Sequence, residues 1–320
     1  MKTSESQNIR RVVVVGAGAV GSTYCYALAQ SGLADEIIMI DKNENLANGQ
    51  VLDMVHGEPF YPNVQIRLGT PEDYTNAQLV VITAGSAQKP GESRIQLLQK
   101  NTNIMHGIAK EIADRRCKGV MLVVTNPVDV LTYVALTSSG WEPGRVIGSG
   151  TILDSARFRY LLSRHCGVDV HSVHAYILGE HGDSEFAAWS MTNIAGINID
   201  NYCPLCKKCS NWKEERKAIE REVRDSAYHI INYKGSTQYG VGMALIRITE
   251  AVLRKQNSIL TVSTLLNGEF GISDVCLSVP SIVSGNGVLK IIHNPFPKEE
   301  LLALQKSAGV LTQAIKTLQA

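Results

Sequence analysis

The stretch Val12–Gly21, which reads VVVVGAGAVG, decides the fold of this chain. Its four consecutive valines predict a buried strand, and the G-x-G-x-x-G pattern that follows opens a helix-like stretch, Val20–Gln30. Glycine suits the turn because Gly16 permits a tight bend, Gly18 lets a phosphate approach the backbone, and Gly21 lets helix and strand pack closely. Phosphates placed there would face the helix N-terminus. The sequence therefore predicts a strand, turn and helix that bind a dinucleotide.

A carboxylate lies at the distance that this pattern requires. Asp41 follows the apolar run Ile37–Ile40, twenty residues past Gly21, and can accept hydrogen bonds from an adenosine ribose. Its charge would repel a 2′-phosphate, so NAD is favoured over NADP. The alternative is a glycine turn with an unrelated surface aspartate. Because parallel sheets bind ligands at the carboxyl ends of their strands, the later runs supply further candidates. The residues predicted to contact NAD are Gly16, Ala17, Gly18, Val20, Gly21, Asp41, Ala84, Gly85, Val124, Asn126 and Ser149.

Short apolar runs alternate with helix-like stretches from Arg11 to about Gly150, which predicts βαβ units and a parallel sheet covered on both faces. The runs are residues 12–15, 37–40, 79–83, 120–124 and 146–147. Beyond them, longer amphipathic helices mix with strand-like pieces such as Val173–Leu178. We therefore predict an α/β protein with two lobes. A doubly wound Rossmann NAD-binding lobe is expected at residues 8–150, and a mixed α/β substrate lobe at residues 151–320.

Composition excludes several classes of partner. The chain has 320 residues, of which 31 are basic and 30 acidic, and a net charge of +1 gives no general attraction to nucleic acid or to membranes. Met1–Gln7 lacks the apolar core of a signal peptide, and no apolar run reaches the roughly 18 residues that span a bilayer. We expect a cytoplasmic protein without nucleic-acid or membrane partners.

The seven cysteines fall into two groups. Cys203, Cys206 and Cys209 have the spacing of zinc or iron–sulfur ligands, but no fourth ligand lies nearby in the sequence. A reduced surface loop is therefore predicted, and no metal site. The other four lie in apolar or periodic segments, where a reduced thiol behaves as a small buried hydrophobe. They are Cys25, Cys117, Cys166 and Cys276.

His181 lies between two glycines directly after the strand-like run, which is an unusual place for a packed core residue. Four long motifs occur around it in a fixed order, and through them the chain resembles the lactate/malate dehydrogenase family. The resemblance extends from Val12 to Leu277–Pro280 and includes GST at 235–237. The motifs are QKPGESR at 88–94, NPVD at 126–129, GTILDSARFR at 150–159 and GEHGD at 179–183.

The resemblance implies that His181 donates and accepts the proton in a hydride transfer, and that Asp154 is its carboxylate partner. A nearby carboxylate favours imidazolium and raises the histidine pKa toward or above its ordinary ~6.5, so that a proton is available at neutral pH. For Asp154 alone, the alternative is a helix N-cap, because Asp-Ser-Ala-Arg is a suitable start for a helix.

The resemblance further implies four contacts to substrate. Arg157 would bind a carboxylate through its bidentate guanidinium, which lysine does not offer. Arg94 follows Pro90-Gly91, as suits a loop that closes over substrate, and would polarise the reacting carbonyl. Either arginine alone is also compatible with a solvated surface charge. Asn126 would donate to the substrate oxygen, and Thr237 would make a further contact.

Gln88 discriminates between the two main branches of the family. The resembling malate enzymes have an arginine here, which meets a second carboxylate, whereas the lactate enzymes have glutamine. A mismatch in either direction leaves a buried charge unpaired and costs several kcal/mol. The sequence therefore predicts an NAD-dependent oxidoreductase that interconverts pyruvate and L-lactate. The alternatives are a malate enzyme acting on oxaloacetate, and a non-catalytic scaffold that binds NAD.

Two residues match a regulatory site of bacterial family members. Arg159 and His174 correspond to positions that bind fructose 1,6-bisphosphate at a subunit interface in those proteins. Two cationic or protonatable groups suit a phosphate, and a symmetric interface brings in the same pair from a neighbour. The alternative is two surface residues without a ligand. The family also implies a homotetramer and a place in glycolysis and fermentation.

Overall fold

The computed structural model describes residues 9–87, 91, 93–206, 211–293 and 295–319, without the side chains of residues 94, 204, 206 and 319. The first half contains β1 (Arg11–Val15), α1 (Ala19–Ser31), β2 (Glu36–Ile40), α2 (Glu44–Val55), β3 (Gln65–Leu68), β4 (Leu79–Ile82), α3 (Arg94–Asp114), β5 (Val120–Val123), α4 (Val128–Ser139), β6 (Val146–Gly148) and α5 (Ile152–Cys166). The second half contains β7 (Val173–His174), β8 (Ile177–Leu178), β9 (Phe186–Ala187), β10 (Asn193–Ile194), β11 (Ile197–Asn198), α6 (Ile199–Cys206), α7 (Trp212–Lys234), α8 (Tyr239–Leu253), β12 (Ser258–Asn267), β13 (Ser273–Ser284), β14 (Gly287–Ile291) and α9 (Lys298–Gln319).

The strands of the first half form the predicted parallel sheet. They are arranged in the order β3-β2-β1-β4-β5-β6, and each neighbouring pair is parallel. The order reverses beside β1, which creates the crevice where doubly wound sheets bind their ligands. The valines of β1 are buried on both faces. The predicted fold class is confirmed.

The second half extends this sheet and also forms two small antiparallel sheets, β11-β10-β7 and β8-β9. Within the described residues, β12, β13 and β14 add antiparallel strands beside β6 and make a sheet of nine strands. The junction is a pairing of Ser263 with Gly148. The expected lobe boundary at residue 150 falls between β6 and α5. One continuous sheet thus contains strands from both halves of the chain.

Two expectations about strands differ from the structure. Strand β3 escaped the sequence analysis because it lies at the sheet edge and only Ile66 among its four residues is buried. The run Val173–Leu178 is divided between β7, which pairs with β10, and β8, which pairs with β9. The carbonyl of Ala175, between them, accepts a hydrogen bond from Arg159 Nε at 3.0 Å. A side chain therefore takes the place of a strand partner at this position.

The cysteine predictions were partly wrong. The four cysteines of the apolar segments are buried, as expected. Cys203, however, is a buried residue of α6 and not part of a surface loop, because helical spacing places it on the same buried face as Ile199. Cys206 ends that helix, and Cys209 lies outside the described residues. None of the described helices is long and apolar enough to cross a membrane.

Candidate active site

The glycine turn closes one wall of a cleft of about 630 Å³ at the carboxyl ends of β1, β2 and β4. A Cβ on Gly16 would lie 2.6 Å from the Ala84 nitrogen, and one on Gly21 would overlap the Gly16 carbonyl. A Cβ on Gly18 would meet nothing within 4 Å. The outer glycines are thus required by close packing, while the central glycine faces open space. This is the arrangement that a dinucleotide pyrophosphate requires.

Asp41 is held against the glycine turn. Its Oδ2 accepts from the Ala17 N–H at 2.7 Å, and its Oδ1 accepts from the Asn43 N–H at 2.8 Å. Asp41 lines the cleft together with Gly16, Ala84 and Gly85. The structure therefore brings the predicted adenosine side of the site together.

Other predicted cofactor contacts lie nearby but are not in the lining of this cleft, as far as the chain is described. Val20 and Val124 pack against the core beneath it. Ser149 follows β6, and its N–H donates to the Val123 carbonyl at 2.8 Å. Asn126 lines a second, smaller cavity instead.

Asp154 joins two predicted catalytic groups. Helix α5 begins at Ile152, with Thr151 at its N-cap, so the alternative that Asp154 is the N-cap is wrong. Asp154 is buried; its Oδ2 lies 2.6 Å from His181 Nδ1, and its Oδ1 accepts from Arg157 Nη1 at 2.7 Å. One carboxylate therefore orients both side chains, and His181 Nε2 remains as the ring nitrogen for a ligand.

The surroundings of His181 favour its protonated form. Burial disfavours imidazolium, but the charge and hydrogen bond of Asp154, with smaller contributions from Asp129 and Glu185, outweigh it and raise the pKa of His181 to about 9. For Asp154, burial disfavours the carboxylate and on its own would raise the pKa. The charges and hydrogen bonds of His181 and Arg157 outweigh burial and hold the pKa of Asp154 below its usual value. At neutral pH the pair is therefore imidazolium and carboxylate.

A cavity of about 190 Å³ opens in front of this pair. Asn126 also lines it, and the Asn126 carbonyl accepts from Asn101 Nδ2 at 3.2 Å. The same Asn101 side chain accepts from the Ser86 N–H at 2.8 Å, so α3 ties this cavity to the loop after β4. The full lining is Asn126, Asp154, Arg157, His181, Gly182, Asp183, Glu185, Arg224, Ala227 and Tyr228.

Three predicted substrate residues are not seen in this cavity. Gln88 lies outside the described residues. Arg94 is the first residue of α3 and not part of a loop, because Ser93 and Gln96 form a capping box around it; its side chain lies outside the described part. Thr237 is in the short connection between α7 and α8 and is not among the described residues that line the cavity.

Sequence reasoning missed three charged residues around His181. Arg224 of α7 donates to the Glu185 carbonyl at 3.4 Å, and Asp129 accepts from the His181 N–H at 2.8 Å. Burial, followed by the charge of Asp154, raises the pKa of Glu185 to about 9. Asp129 belongs to the NPVD motif, which was its only signal; Glu185 and Arg224 gave none, because their contacts join distant segments.

Asp154, His181 and Glu185 present ligand atoms within 4.8 Å of one another. Both oxygens of Asp154 are already engaged, as is His181 Nδ1, and the neighbouring Arg157 guanidinium opposes a cation. The chemistry of this cluster suits the holding and transfer of a proton better than the binding of a metal ion.

A dinucleotide cleft, together with a protonated histidine that shares a carboxylate with an arginine, is typical of an NAD-dependent dehydrogenase. Two family models match the chain and narrow this class: the lactate/malate dehydrogenase NAD binding domain at residues 10–148, and the lactate/malate dehydrogenase alpha/beta C-terminal domain at residues 151–320. The chain belongs to the lactate/malate dehydrogenase family, and NAD is its cofactor.

Relatives and solved structures agree with this family. The chain is 58% identical to an L-lactate dehydrogenase of Treponema denticola, covering 95% of this chain and 97% of that protein. It is 52% identical to one of Acetivibrio thermocellus, covering 97% and 98%. The crystal structure of the minor L-lactate dehydrogenase from Enterococcus mundtii in its ligands-bound form has a TM-score of 0.94 at 40% identity, covering 98% of this chain and 99% of that one.

Proposed function

We propose that this chain is an NAD-dependent L-lactate dehydrogenase that interconverts pyruvate and NADH with L-lactate and NAD. The observation that carries the proposal is the Asp154 carboxylate, which binds His181 and Arg157 at once in a cavity next to the cofactor cleft. Such a cavity offers a proton donor and a carboxylate-binding cation within one small volume. The L-lactate dehydrogenases among its relatives support the same activity.

In the direction of reduction, Arg157 binds the carboxylate of pyruvate. Asp154 accepts a hydrogen bond from Nη1 of the guanidinium, and the substrate carboxylate would accept from the other terminal nitrogen. The keto oxygen then lies against His181 Nε2. When bound in the cleft, NADH would supply the hydride that the keto carbon accepts, with NAD as its oxidised form. His181 gives its proton to the oxygen, so the carbonyl becomes the hydroxyl of L-lactate and the imidazole is left neutral. In the reverse direction, neutral His181 takes the hydroxyl proton.

The remaining substrate contacts are proposed from the motifs. Asn126 donates to the substrate oxygen, Arg94 polarises it, and Thr237 makes a further contact. We propose that Gln88 faces the methyl end of pyruvate as a neutral side chain, which would leave the second carboxylate of oxaloacetate without a charged partner. Asn126 has the most direct structural support, because it lines the same cavity as His181.

Following NADH absorbance with pyruvate, oxaloacetate and other 2-keto acids tests the proposal. We expect pyruvate to give the highest kcat/KM. A preference for oxaloacetate would establish the malate alternative, and no oxidation of NADH with any acid would establish the non-catalytic scaffold. The cytoplasmic location is also proposed, and fractionation of the source cells tests it.

We further propose that Arg159 and His174 bind fructose 1,6-bisphosphate. His174 is exposed on β7, and burial, opposed by Tyr176 and assisted by the charge of Arg247, lowers the pKa of Arg159. Arg247 is thus a second cation near Arg159, and a phosphate could pair with both. Rates at low pyruvate, with and without the bisphosphate, test this; equal rates near neutral pH would refute it.

A homotetramer is proposed from the family resemblance, and exposed apolar side chains on α7 and α8 are available for subunit contacts. Sedimentation analysis tests the assembly, and a monomer at micromolar concentration would contradict it. The exposed side chains on α7 and α8 are Tyr228, Ile231, Tyr233, Tyr239 and Met243.

A further inference from the structure

Asp129 lies in the first turn of α4 and is 2% exposed. Its Oδ2 accepts from the backbone N–H of His181 at 2.8 Å. The hydroxyl of Ser263 lies close enough to the carboxylate to lower its pKa, although within the described part of the chain neither this hydroxyl nor Oδ1 makes a hydrogen bond of normal geometry. The carboxylate therefore joins the helix after β5 to the loop of the proposed proton donor, across 52 residues of sequence.

A carboxylate in this place is costly for folding. Burial of a charge is unfavourable, and an asparagine would fill the same volume without the charge. Burial raises the pKa of Asp129 to about 6 against the opposing effects of Ser263 and His181, so the group is still anionic at neutral pH and above. The cation that this charge faces is His181, whose pKa it raises.

Charged groups face His181 from several elements. Asp154 of α5 binds the His181 ring at Nδ1 through Oδ2. The guanidinium of Arg157 donates to Oδ1 of the same carboxylate. Glu185 approaches from the segment before β9, and Arg224 of α7 contacts the backbone of Glu185. Asp129 differs from Asp154 and Glu185, because its contact is with the backbone of His181 itself.

We propose that Asp129 is a positioning residue of the proton-transfer site, which holds the backbone of His181 against α4 and supports its imidazolium by charge. The proposal rests on the proposed role of His181 as proton donor. Two separable effects follow: the hydrogen bond fixes the loop, and the negative charge stabilises the cation. Asn retains an acceptor for the first effect but removes the second.

The substitution Asp129→Asn separates these effects. Loss of the charge should lower the apparent pKa of the wild-type kcat/KM profile by about one unit. Pyruvate reduction requires imidazolium, so its fall with pH should begin about one unit lower, and its rate at pH 9 relative to its own rate at pH 7 should be about fivefold below that of wild type. A merely structural defect would lower the rate by the same factor at every pH. Titration of the His181 ring by NMR should show the same shift without turnover.

Two further variants complete the test. Asp129→Ala also removes the acceptor and should lower kcat about tenfold further, because the His181 loop is released. Glu36→Gln is the matched control: Glu36 is equally buried, but it pairs with Arg11 and Arg67 at the start of β2, away from the cavity. It should leave the pH profile unchanged and lower the thermal unfolding midpoint, whereas Asp129→Asn should not lower it.

The outcomes are distinct. A wild-type pH profile and ring titration in Asp129→Asn would overturn the inference, as would an equal loss at every pH without a shift of the profile. A wild-type protein that reduces no 2-keto acid contradicts the proposed function instead, and the NMR titration then still decides whether Asp129 supports the imidazolium.

Discussion

The cofactor cleft and the catalytic cavity lie side by side but are built in different ways. One wall of the cleft is the glycine turn, whose close packing excludes side chains at Gly16 and Gly21 and leaves open space beside Gly18. The cavity is formed by buried charges on segments far apart in sequence, with Asp154 between His181 and Arg157. Close packing of the backbone thus determines the cofactor cleft, and the placement of buried charges determines the cavity. Substitutions in the two regions should therefore fail in different ways.

The largest effect is expected from His181→Gln. Removal of the proton donor should lower kcat for pyruvate reduction by about 10³-fold, because general acid catalysis contributes on this scale. Binding of NADH, measured by fluorescence, should stay within about twofold of wild type if the two regions are independent. A simultaneous loss of NADH binding would show that cleft and cavity are coupled.

Gln88→Arg should change the substrate and not the cofactor. The added cation would leave pyruvate facing an unpaired charge and would supply a partner for the second carboxylate of oxaloacetate. We expect the ratio of kcat/KM for oxaloacetate to that for pyruvate to rise by at least about 10²-fold. Steady-state kinetics with an unchanged ratio would remove Gln88 as the basis for the proposed substrate.

Two glycine substitutions sharpen the account of the cleft. Gly18→Ala should leave the unfolding midpoint unchanged, because its Cβ meets nothing within 4 Å, but should weaken NADH binding about tenfold where the pyrophosphate approaches. Gly16→Ala should also lower the free energy of unfolding by about 1–3 kcal/mol, since Gly16 has a φ of 112° and its Cβ would crowd Ala84. Equal effects of both variants on unfolding would contradict this distinction.

The same contrast explains what the sequence could predict. The valine run, the glycine turn and Asp41 are local patterns, and their positions along one sheet edge follow from the parallel order. Strand β3 was missed because an edge strand with a single buried residue has little apolar signal. Cys203 was misplaced because its three-cysteine spacing concealed the helical spacing from Ile199.

The catalytic cavity was predictable only where a motif named its residues. The resemblance identified His181, Asp154 and Arg157, and the structure brings these three together. It gave no role to Asp129, whose contact with His181 spans 52 residues. The spacing of apolar residues indicates which face of a helix or strand is buried. It does not indicate which charged residue from a distant segment packs against that face. The pairing of buried charges is a property of the tertiary structure.

The central claim is that buried carboxylates keep His181 protonated so that it can protonate the keto oxygen. The most direct test is the pH dependence of wild-type kcat/KM in both directions from pH 6 to 10.5. Because the pKa of His181 is raised to about 9, pyruvate reduction should be nearly constant to about pH 8 and then fall toward tenfold per unit above pH 9. Lactate oxidation should rise by about tenfold per unit up to about pH 8 and become nearly constant above about pH 10. A reduction rate that falls already near pH 6.5, or one that is independent of pH up to 10.5, would contradict the account.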